Sequence, residues 1–210
     1  MSVFISVEGG EGCGKSSVLN IVIDRLKKEG FDIVLTREPG GIDISEQIRK
    51  VILDEKNKRM DYITEALLYA ASRRQLVAEK IVPLLNEGKI VISDRFVDSS
   101  LVYQGIVRKL GIDYVWNLNQ YAIQECMPSL TILFDLDPVI GQRRIRTNKN
   151  REINRWDNEA VEIHNVVRNG YLEIAEKYKD RIKVVDASKT IEEVSETVYN
   201  LIKEELVKRG

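Results

Sequence analysis

One glycine-rich stretch near the N-terminus constrains the fold more than any other feature of this sequence. Residues 9–16 read Gly-Gly-Glu-Gly-Cys-Gly-Lys-Ser, which matches the spacing G-x-x-x-x-G-K-S. An alternating apolar run, Val3 to Val7, precedes it, and the run from Lys15 onward carries apolar residues at helical spacing. Strand, glycine-rich loop and helix in this order are the context that a phosphate-binding loop requires. The sequence therefore predicts that this segment binds phosphate groups.

The composition of this loop has a physical reason. Glycine lacks a Cβ and adopts positive φ, so backbone N–H groups can turn inward and approach an anion. The loop ends at a helix N-terminus, where unpaired N–H groups and the helix dipole favour negative charge. Lys15 is expected to reach the β- and γ-phosphates, and Ser16 is expected to place its hydroxyl on Mg²⁺. The predicted nucleotide-binding residues are Gly9, Gly10, Glu11, Gly12, Cys13, Gly14, Lys15, Ser16 and Ser17.

Length, charge and cysteine content narrow the class of protein. The chain has 210 residues and a formal net charge of −1, which suits one α/β domain and argues against a protein that coats nucleic acid. Its two cysteines, Cys13 and Cys126, are too few for a disulfide framework, so we expect a reducing, cytoplasmic setting. No signal peptide is expected, and the apolar runs are too short to span a bilayer. We therefore expect neither nucleic acid nor a membrane as partner.

Strand-like runs alternate with helical patterns along the chain. The predicted strands are residues 3–7, 32–36, 89–93, 130–136 and 181–187. The predicted helices begin at Lys15 and cover 45–53, 64–86 (bent near its end by Pro83), 113–125, 138–146, 160–179 and 191–208. The polar, basic stretch 147–155 is predicted to be a loop or lid. This alternation predicts a single doubly wound α/β domain with a parallel sheet and a site beyond the carboxyl ends of its strands.

Arginines and carboxylates follow several of the predicted strands. Arg37 and Glu38 follow the second strand, Asp94 and Arg95 follow the third, and Asp135 lies in the fourth. Arginine clamps a phosphate bidentately, and a carboxylate near a phosphate-binding loop holds Mg²⁺ through water or receives a proton from the acceptor. A protein that passes the phosphoryl group to water needs fewer arginines. This set favours phosphoryl transfer between two phosphate-bearing molecules.

With these motifs in place, the sequence resembles the thymidylate kinases, which transfer a phosphoryl group from ATP to dTMP. The matching segments are EGGEGCGKSS, TREPGG, TEALLYAASRRQ, SDRFVDSSLVYQG, PSLTILFDLDP and NRWDNE, in the family's order from residue 5 to about residue 160. The resemblance implies the P-loop nucleoside-monophosphate kinase fold, a five-stranded parallel sheet of order 2-3-1-4-5 with a short lid. It also implies ATP as co-substrate, Mg²⁺ as cofactor, dTMP as acceptor and a homodimer.

The resemblance implies a role for each matching position at the phosphate end of the site. Arg37 and Arg95 would hold the dTMP phosphate, and Asp94 would hold Mg²⁺ through water and help to orient the acceptor. Glu38 would lie near the metal and phosphates. The implied residues for catalysis are therefore Lys15, Asp94 and Arg95, together with a lid arginine, and those for metal binding are Ser16 and Asp94.

At the base and sugar, Tyr69 would stack on thymine, and Tyr103 would lie near C2′ of the deoxyribose. Arg73 and Gln104 would read the polar edge of the base. The implied dTMP-binding residues are Glu11, Arg37, Glu38, Arg49, Tyr69, Arg73, Arg95, Ser99, Ser100, Tyr103 and Gln104.

One position departs from part of the family. Some relatives carry an arginine inside the phosphate-binding loop, where this sequence has Gly12. The resemblance is therefore to the branch whose catalytic arginine comes from the lid. Here Arg151 and Arg155 are the favoured candidates, with Arg146 as a third.

Three other functions stay open on the sequence alone. One is a kinase for another nucleoside monophosphate or for a deoxynucleoside, against which TREPGG and the residues of the implied base pocket argue. A GTP-dependent switch would need an N-K-x-D base reader, but Arg151 stands where its aspartate is required. A catalytically retired relative would have lost a chemical position, and only the arginine slot at Gly12 differs. The single histidine, His164, lies in a helical stretch and is interpreted as structural.

Overall fold

The computed structural model describes residues 2–147, 156 and 160–209. The strands in this part of the chain are β1 (Val3–Gly9), β2 (Ile33–Arg37), β3 (Ile90–Asp94), β4 (Leu130–Asp135) and β5 (Ile182–Asp186). They pair in parallel in the order β2-β3-β1-β4-β5. The predicted parallel sheet of order 2-3-1-4-5 is confirmed, and β1, which leads into the glycine-rich loop, lies at its centre.

Helices cover both faces of this sheet. They are α1 (Lys15–Lys28), α2 (Asp43–Leu53), α3 (Tyr62–Leu76), α4 (Val82–Asn86), α5 (Val97–Ser100), α6 (Ile112–Ile123), α7 (Pro138–Thr147), α8 (Val161–Lys177) and α9 (Ile191–Arg209). A short 3₁₀ turn covers Glu55–Asn57. Within the described residues, no helix combines the length and apolar character needed to cross a membrane.

The alternation of side chains along β1 separates the two halves of the core. Val3, Ile5 and Val7 pack against α1 and α9 on one face. Phe4 packs on the opposite face with apolar residues of α3, α5 and α6. Because successive side chains of a strand point to opposite faces, Glu8 shares the face of Phe4, toward α5 and α8. This register brings a carboxyl group into the buried side of the sheet, directly before the glycine-rich loop.

Two helical stretches contain wide, π-helical turns. The predicted helix 64–86 is instead α3 from Tyr62, a π-helical turn over Val77–Ile81, and α4, in which Pro83 lies at the second position. Proline cannot donate to the carbonyl four residues earlier, so the regular ladder is interrupted there. A second π-helical run, Leu101–Val107, continues α5. No helix was predicted over 97–107, because that stretch is buried nearly all round and so lacks an amphipathic period.

Candidate active site

A cleft of about 510 Å³ opens beyond the carboxyl ends of the central strands, within the usual size range of small-molecule sites. Most of the predicted site residues that the structure describes meet in its wall. They are Glu11, Gly12, Cys13, Gly14, Lys15, Ser16, Ser17, Arg37, Glu38, Arg49, Tyr69, Arg73, Asp94, Arg95, Ser99, Ser100, Tyr103 and Gln104. Gly10 lines a small neighbouring cavity instead. Gly9 lies beneath the loop, where a Cβ would come within 2.7 Å of the carbonyl oxygen of Phe134.

The glycine-rich loop wraps around the side chain of Lys15. Gly12 and Gly14 have positive φ values of 73° and 92°, and Gly14 forms the N-cap of α1. Lys15 is buried, and its Nζ donates to the carbonyl oxygen of Gly9 at 3.2 Å and lies 3.6 Å from Cys13 Sγ. The cationic head therefore lies at the centre of a loop whose N–H groups precede a helix N-terminus, which is a geometry suited to phosphates.

Oxygen atoms that could bind a metal ion lie beside Lys15. Asp94 Oδ1 lies 4.0 Å from Lys15 Nζ, and Asp94 Oδ2 accepts from the Ser16 hydroxyl at 3.5 Å. Oδ1 is buried and has no hydrogen-bond partner among the described residues. A carboxylate and a hydroxyl suit Mg²⁺, which binds through few protein oxygens and keeps several waters or phosphate oxygens as ligands. The residues present therefore fit a magnesium site at this point of the cleft.

Arg95 faces the loop from the end of β3. Its backbone is left-handed, with φ 73°, which is uncommon for a residue other than glycine and turns the side chain into the cleft. Nη2 donates to Glu11 Oε1 at 2.8 Å, and Nη1 donates to Ser99 Oγ at 3.2 Å and to Tyr171 Oη at 2.9 Å. Tyr103 donates to the same Glu11 oxygen at 3.1 Å. Arg95 is thus held in one orientation by partners from three elements.

Arg73 is enclosed in the cleft wall and is 1% exposed. Its Nε and Nη2 lie 2.7 and 2.6 Å from Glu38 Oε2. Nη1 donates to Ser100 Oγ at 3.1 Å and to Asn119 Oδ1, and Nη2 donates to the carbonyl oxygen of Phe96 at 3.2 Å. These contacts use the five N–H donors of a guanidinium. A direct hydrogen bond from Arg73 to a base therefore requires the exchange of one of them.

Glu38 lines the same cleft as Lys15 and Asp94, and its expected place near the metal and phosphates stays a prediction. In this structure its carboxylate is buried against Arg73. Burial raises the pKa of Glu38 above its usual value, and the charge of Arg73 opposes that rise. The ion pair between Glu38 and Arg73 therefore connects the residue that follows β2 to α3.

The aromatic part of the cleft lies between α3 and the π-helical run Leu101–Val107. Tyr69 lines it from α3, and Gln104 Nε2 donates to Glu65 Oε1 at 2.9 Å. Tyr103 is buried and stacks edge-on against Trp156, with ring centroids 4.8 Å apart. The segment SDRFVDSSLVYQG was expected to supply Ser99, Ser100, Tyr103 and Gln104 to the pocket. All four side chains line the cleft, although Tyr103 and Gln104 lie on the π-helical run.

Two predicted arginines lie at the mouth of the cleft. Arg37 Nη2 donates to Glu46 Oε1 at 2.8 Å, and its Nη1 donates to the carbonyl oxygen of Pro39 at 3.2 Å. Arg49 Nη1 reaches the same carbonyl oxygen at 3.2 Å. Both guanidinium groups therefore converge on one loop that follows β2. The lid candidates Arg151 and Arg155 lie outside the described residues.

The sequence analysis missed Arg144, which lines the cleft, and Glu8 and Tyr171, which lie directly behind it. Arg144, on α7, lines the cleft and donates from both Nη atoms to the carbonyl oxygen of Ala187 at 3.3 Å. Glu8 and Tyr171 lie behind Arg95. A signal existed for Glu8, a charged residue inside an otherwise apolar buried strand. Arg144 adjoins a basic segment that was examined only from Arg146 onward, and Tyr171 carried no signal in its own helix.

Helix α7 is packed directly on the glycine-rich loop. A Cβ on Gly12 would lie 2.3 Å from the carbonyl oxygen of Gly141, and a Cβ on Gly141 would lie 2.5 Å from that of Glu11. Neither distance is compatible with a side chain unless the backbone shifts. A side chain at position 12 would therefore begin in space that α7 occupies. This is a steric reason for a glycine rather than an arginine at this position.

The sheet order, the lysine-centred loop and the arginine-lined cleft define a P-loop NTPase fold with a site built for nucleotides. The family model described as thymidylate kinase matches residues 7–198. The chain belongs to the thymidylate kinase family.

Curated relatives and a solved structure agree with this membership. The chain is 56% identical over 191 residues to thymidylate kinase of Geobacillus sp. (strain WCH70), covering 91% of each chain. It is 52% identical over 204 residues to thymidylate kinase of Bacillus licheniformis, covering 97% of this chain and 96% of the relative. The crystal structure of thymidylate kinase from Ehrlichia chaffeensis superposes with a TM-score of 0.77 at 30% identity, covering 96% of this chain and 98% of that one.

Proposed function

We propose that this protein transfers the γ-phosphoryl group of ATP to dTMP and releases dTDP and ADP. The observation that carries the proposal is that Lys15 and Arg95 line one cleft, with Asp94, the residue before Arg95, 4.0 Å from Lys15 Nζ. One cation serves the donor phosphates and the other the acceptor phosphate. Membership of the thymidylate kinase family supports dTMP as the acceptor.

On the donor side, residues Gly9 to Ser17 would hold the phosphates of ATP through loop N–H groups and Lys15. Ser16 and Asp94 would hold Mg²⁺, which supplies charge neutralisation between the donor phosphates. Lys15 must leave the carbonyl oxygen of Gly9 to follow the migrating group. Arg144 adds a guanidinium to this side, between the loop and the carbonyl oxygen of Ala187.

On the acceptor side, Arg95 would bind the phosphate of dTMP, with Arg37 and Arg49 at the cleft mouth. Fixed partners on Arg95 reduce the reorganisation needed when the phosphate binds, which is how positioning lowers a barrier. Tyr69 would stack on the thymine ring. Tyr103, held by Glu11 and Trp156, would exclude a ribose 2′-OH by volume. Arg73 would act on the base through Ser100 or by exchanging that partner.

A coupled assay of ADP release tests this function. The acceptors are dTMP, dUMP, UMP, CMP, AMP and thymidine, each with ATP and magnesium, and the Lys15→Ala variant controls for contaminating kinases. We expect the highest kcat/KM for dTMP and no turnover of thymidine. A higher kcat/KM for any other acceptor would assign the protein to a different nucleotide or nucleoside.

We also propose a homodimer. Large apolar side chains are exposed on α2, α3 and α6, which pack side by side. They are Ile44, Val51, Tyr62, Ile63, Leu67, Tyr114 and Tyr121. Sedimentation equilibrium of the wild type and of Leu67→Glu tests this surface, and a monomeric wild type would refute it.

We further propose that residues 1–210 form one domain, with the lid at about 147–155. We propose that this domain acts in the cytoplasm, without nucleic acid or a membrane as partner.

A further inference from the structure

Three oxygen atoms from three elements form a buried triangle behind Arg95. Glu8 Oε2 lies 2.6 Å from Ser99 Oγ and 3.0 Å from Tyr171 Oη, and the two hydroxyl oxygens lie 2.8 Å apart. Glu8 is 1% exposed, and its other oxygen, Oε1, accepts from the backbone N–H of Phe96 at 2.7 Å. Each of the three sides is within hydrogen-bond distance.

Both hydroxyl oxygens of this triangle are also the acceptors for Arg95 Nη1. The state of the triangle therefore determines how Arg95 is held. Glu8 itself makes no direct contact with the guanidinium, since among the described residues no cation lies within ion-pair distance of it. Glu8 acts on Arg95 through Ser99 and Tyr171.

A count of protons distinguishes two states of the triangle. Ser99 and Tyr171 carry one hydroxyl proton each, so an ionised Glu8 leaves three sides with two protons. A third proton, on Glu8, completes a ring in which every oxygen donates once and accepts once. The neutral state is therefore the one that satisfies all three sides, and Arg95 can still donate to the hydroxyl oxygens.

Burial and one neighbouring charge shift Glu8 toward the neutral state, and other neighbours oppose them. Burial is the main cause that raises the pKa of Glu8 to about 7, and the negative charge of Asp98 adds to it, while Arg95 opposes it. Asp98 is itself paired with Arg181 at 2.7 Å. The titratable and charged groups that face Glu8 are Asp98 on α5, Arg95 before α5, Tyr171 on α8 and Arg181 before β5.

We infer that Glu8 is a proton-linked positioning residue for Arg95, and that binding of the acceptor phosphate draws a proton from solution onto Glu8. The inference rests on the proposed function, in which Arg95 receives the phosphate of dTMP. A phosphate dianion at Arg95 is a further negative charge near a buried carboxyl, and like charges disfavour ionisation. The proton completes the ring and leaves the charge of Arg95 available to the phosphate and Glu11.

The size of the linkage follows from the titration of Glu8. If the acceptor raises the pKa of Glu8 by one unit, from about 7 to about 8, the Kd for dTMP rises about fivefold between about pH 7 and about pH 9. At about pH 7.5 the same shift takes up about half a proton per dTMP bound. The phosphate of dTMP is mostly dianionic throughout this range, because its second pKa is about 6.

The experiment is isothermal titration calorimetry of dTMP into the whole protein across this pH range, in buffers of different ionisation enthalpy. Glu8→Gln keeps the shape and the neutral charge of the protonated residue, and we expect it to bind dTMP with a flat pH profile and no Glu8-linked proton uptake. Glu29→Gln, a surface change, is the matched control and should follow the wild type. Subtracting the Glu8→Gln data removes the contribution of the dTMP phosphate itself.

A second variant keeps the test decisive if Glu8→Gln does not fold. Asp98→Asn removes the neighbouring negative charge that raises the pKa of Glu8 and leaves Arg181 without its partner, so the midpoint of the Kd profile should move to lower pH. An unmoved midpoint, or a wild type that matches Glu8→Gln in slope and proton uptake, would overturn the inference. If the wild type neither binds nor phosphorylates dTMP, the proposed function fails instead, and the two failures are distinct.

Discussion

Replacement of Gly141 by alanine tests whether the contact between α7 and the glycine-rich loop matters for catalysis. The new Cβ would start 2.5 Å from the carbonyl oxygen of Glu11, whereas real Cβ atoms essentially never approach closer than 3.0 Å. Helix and loop must therefore separate by about half an ångström or more. A displacement of about 1 Å in an active site lowers rates about 10²-fold, so we expect kcat to fall roughly tenfold.

The expected change in the free energy of unfolding is small, because two effects of the substitution oppose each other. Overpacking costs about 1–3 kcal/mol, but alanine in a helix interior regains about 1 kcal/mol over glycine. We therefore expect a net loss of about 0–2 kcal/mol in the free energy of unfolding. The displacement of the loop and the loss of stability are therefore measured separately.

Steady-state kinetics with ATP and dTMP, together with urea unfolding, measure both effects on Gly141→Ala. The control is Val139→Ala on the same helix, where the wild-type side chain is 63% exposed, and its kcat should stay within about twofold of the wild type. A Gly141→Ala variant with the wild-type kcat and an unchanged free energy of unfolding would refute the reasoning, because helix and loop would then not be in contact.

Three further changes test individual roles. Lys15→Ala should abolish measurable phosphoryl transfer in the coupled assay, since the charge that follows the migrating group is lost, and near-normal turnover would refute the phosphate-loop assignment. Tyr103→Ala should raise kcat/KM for UMP relative to dUMP, measured in competition, up to about the 10²-fold by which an apolar pocket rejects a hydroxyl; an unchanged ratio would remove Tyr103 from sugar selection. Arg151→Ala and Arg155→Ala, tested singly, should identify the lid arginine by a fall in kcat of at least about 10²-fold at a similar KM for dTMP, and two small effects would place the catalytic charge elsewhere.

The sheet was predictable because its strands are local apolar runs separated by helical periods. The position of the cleft followed from the same alternation, since parallel strands end at one edge. The order of the strands came from the resemblance and not from periodicity. The glycine-rich loop could be predicted because phosphate binding requires particular residue types at fixed, nearby positions. A single sequence shows such a local pattern directly.

The partners of the site residues were not predictable, because they come from distant parts of the chain. Arg73 was expected to read a base directly, but its donors are used by residues between 23 and 46 positions away. Tyr171 reaches Glu8 across 163 positions. Such contacts depend on how elements pack, so a sequence pattern reveals the residue and not what holds it. The roles of Arg151 and Arg155 stay predictions, since both lie outside the described residues.

The π-helical run Leu101–Val107 has a consequence for how this protein can change during evolution. Deleting one residue there would restore regular i→i+4 pairing and leave a better helix. A deletion at Leu101 or Val102 would also turn every following side chain by about 100° around the axis, so Tyr103 and Gln104 would no longer face the same wall as Ser99 and Ser100. A mutation that improves the backbone locally would thus dismantle the pocket. We expect the chain length before Tyr103 to be fixed among functional descendants, while the loop that follows the run, at 108–111, tolerates insertions and deletions.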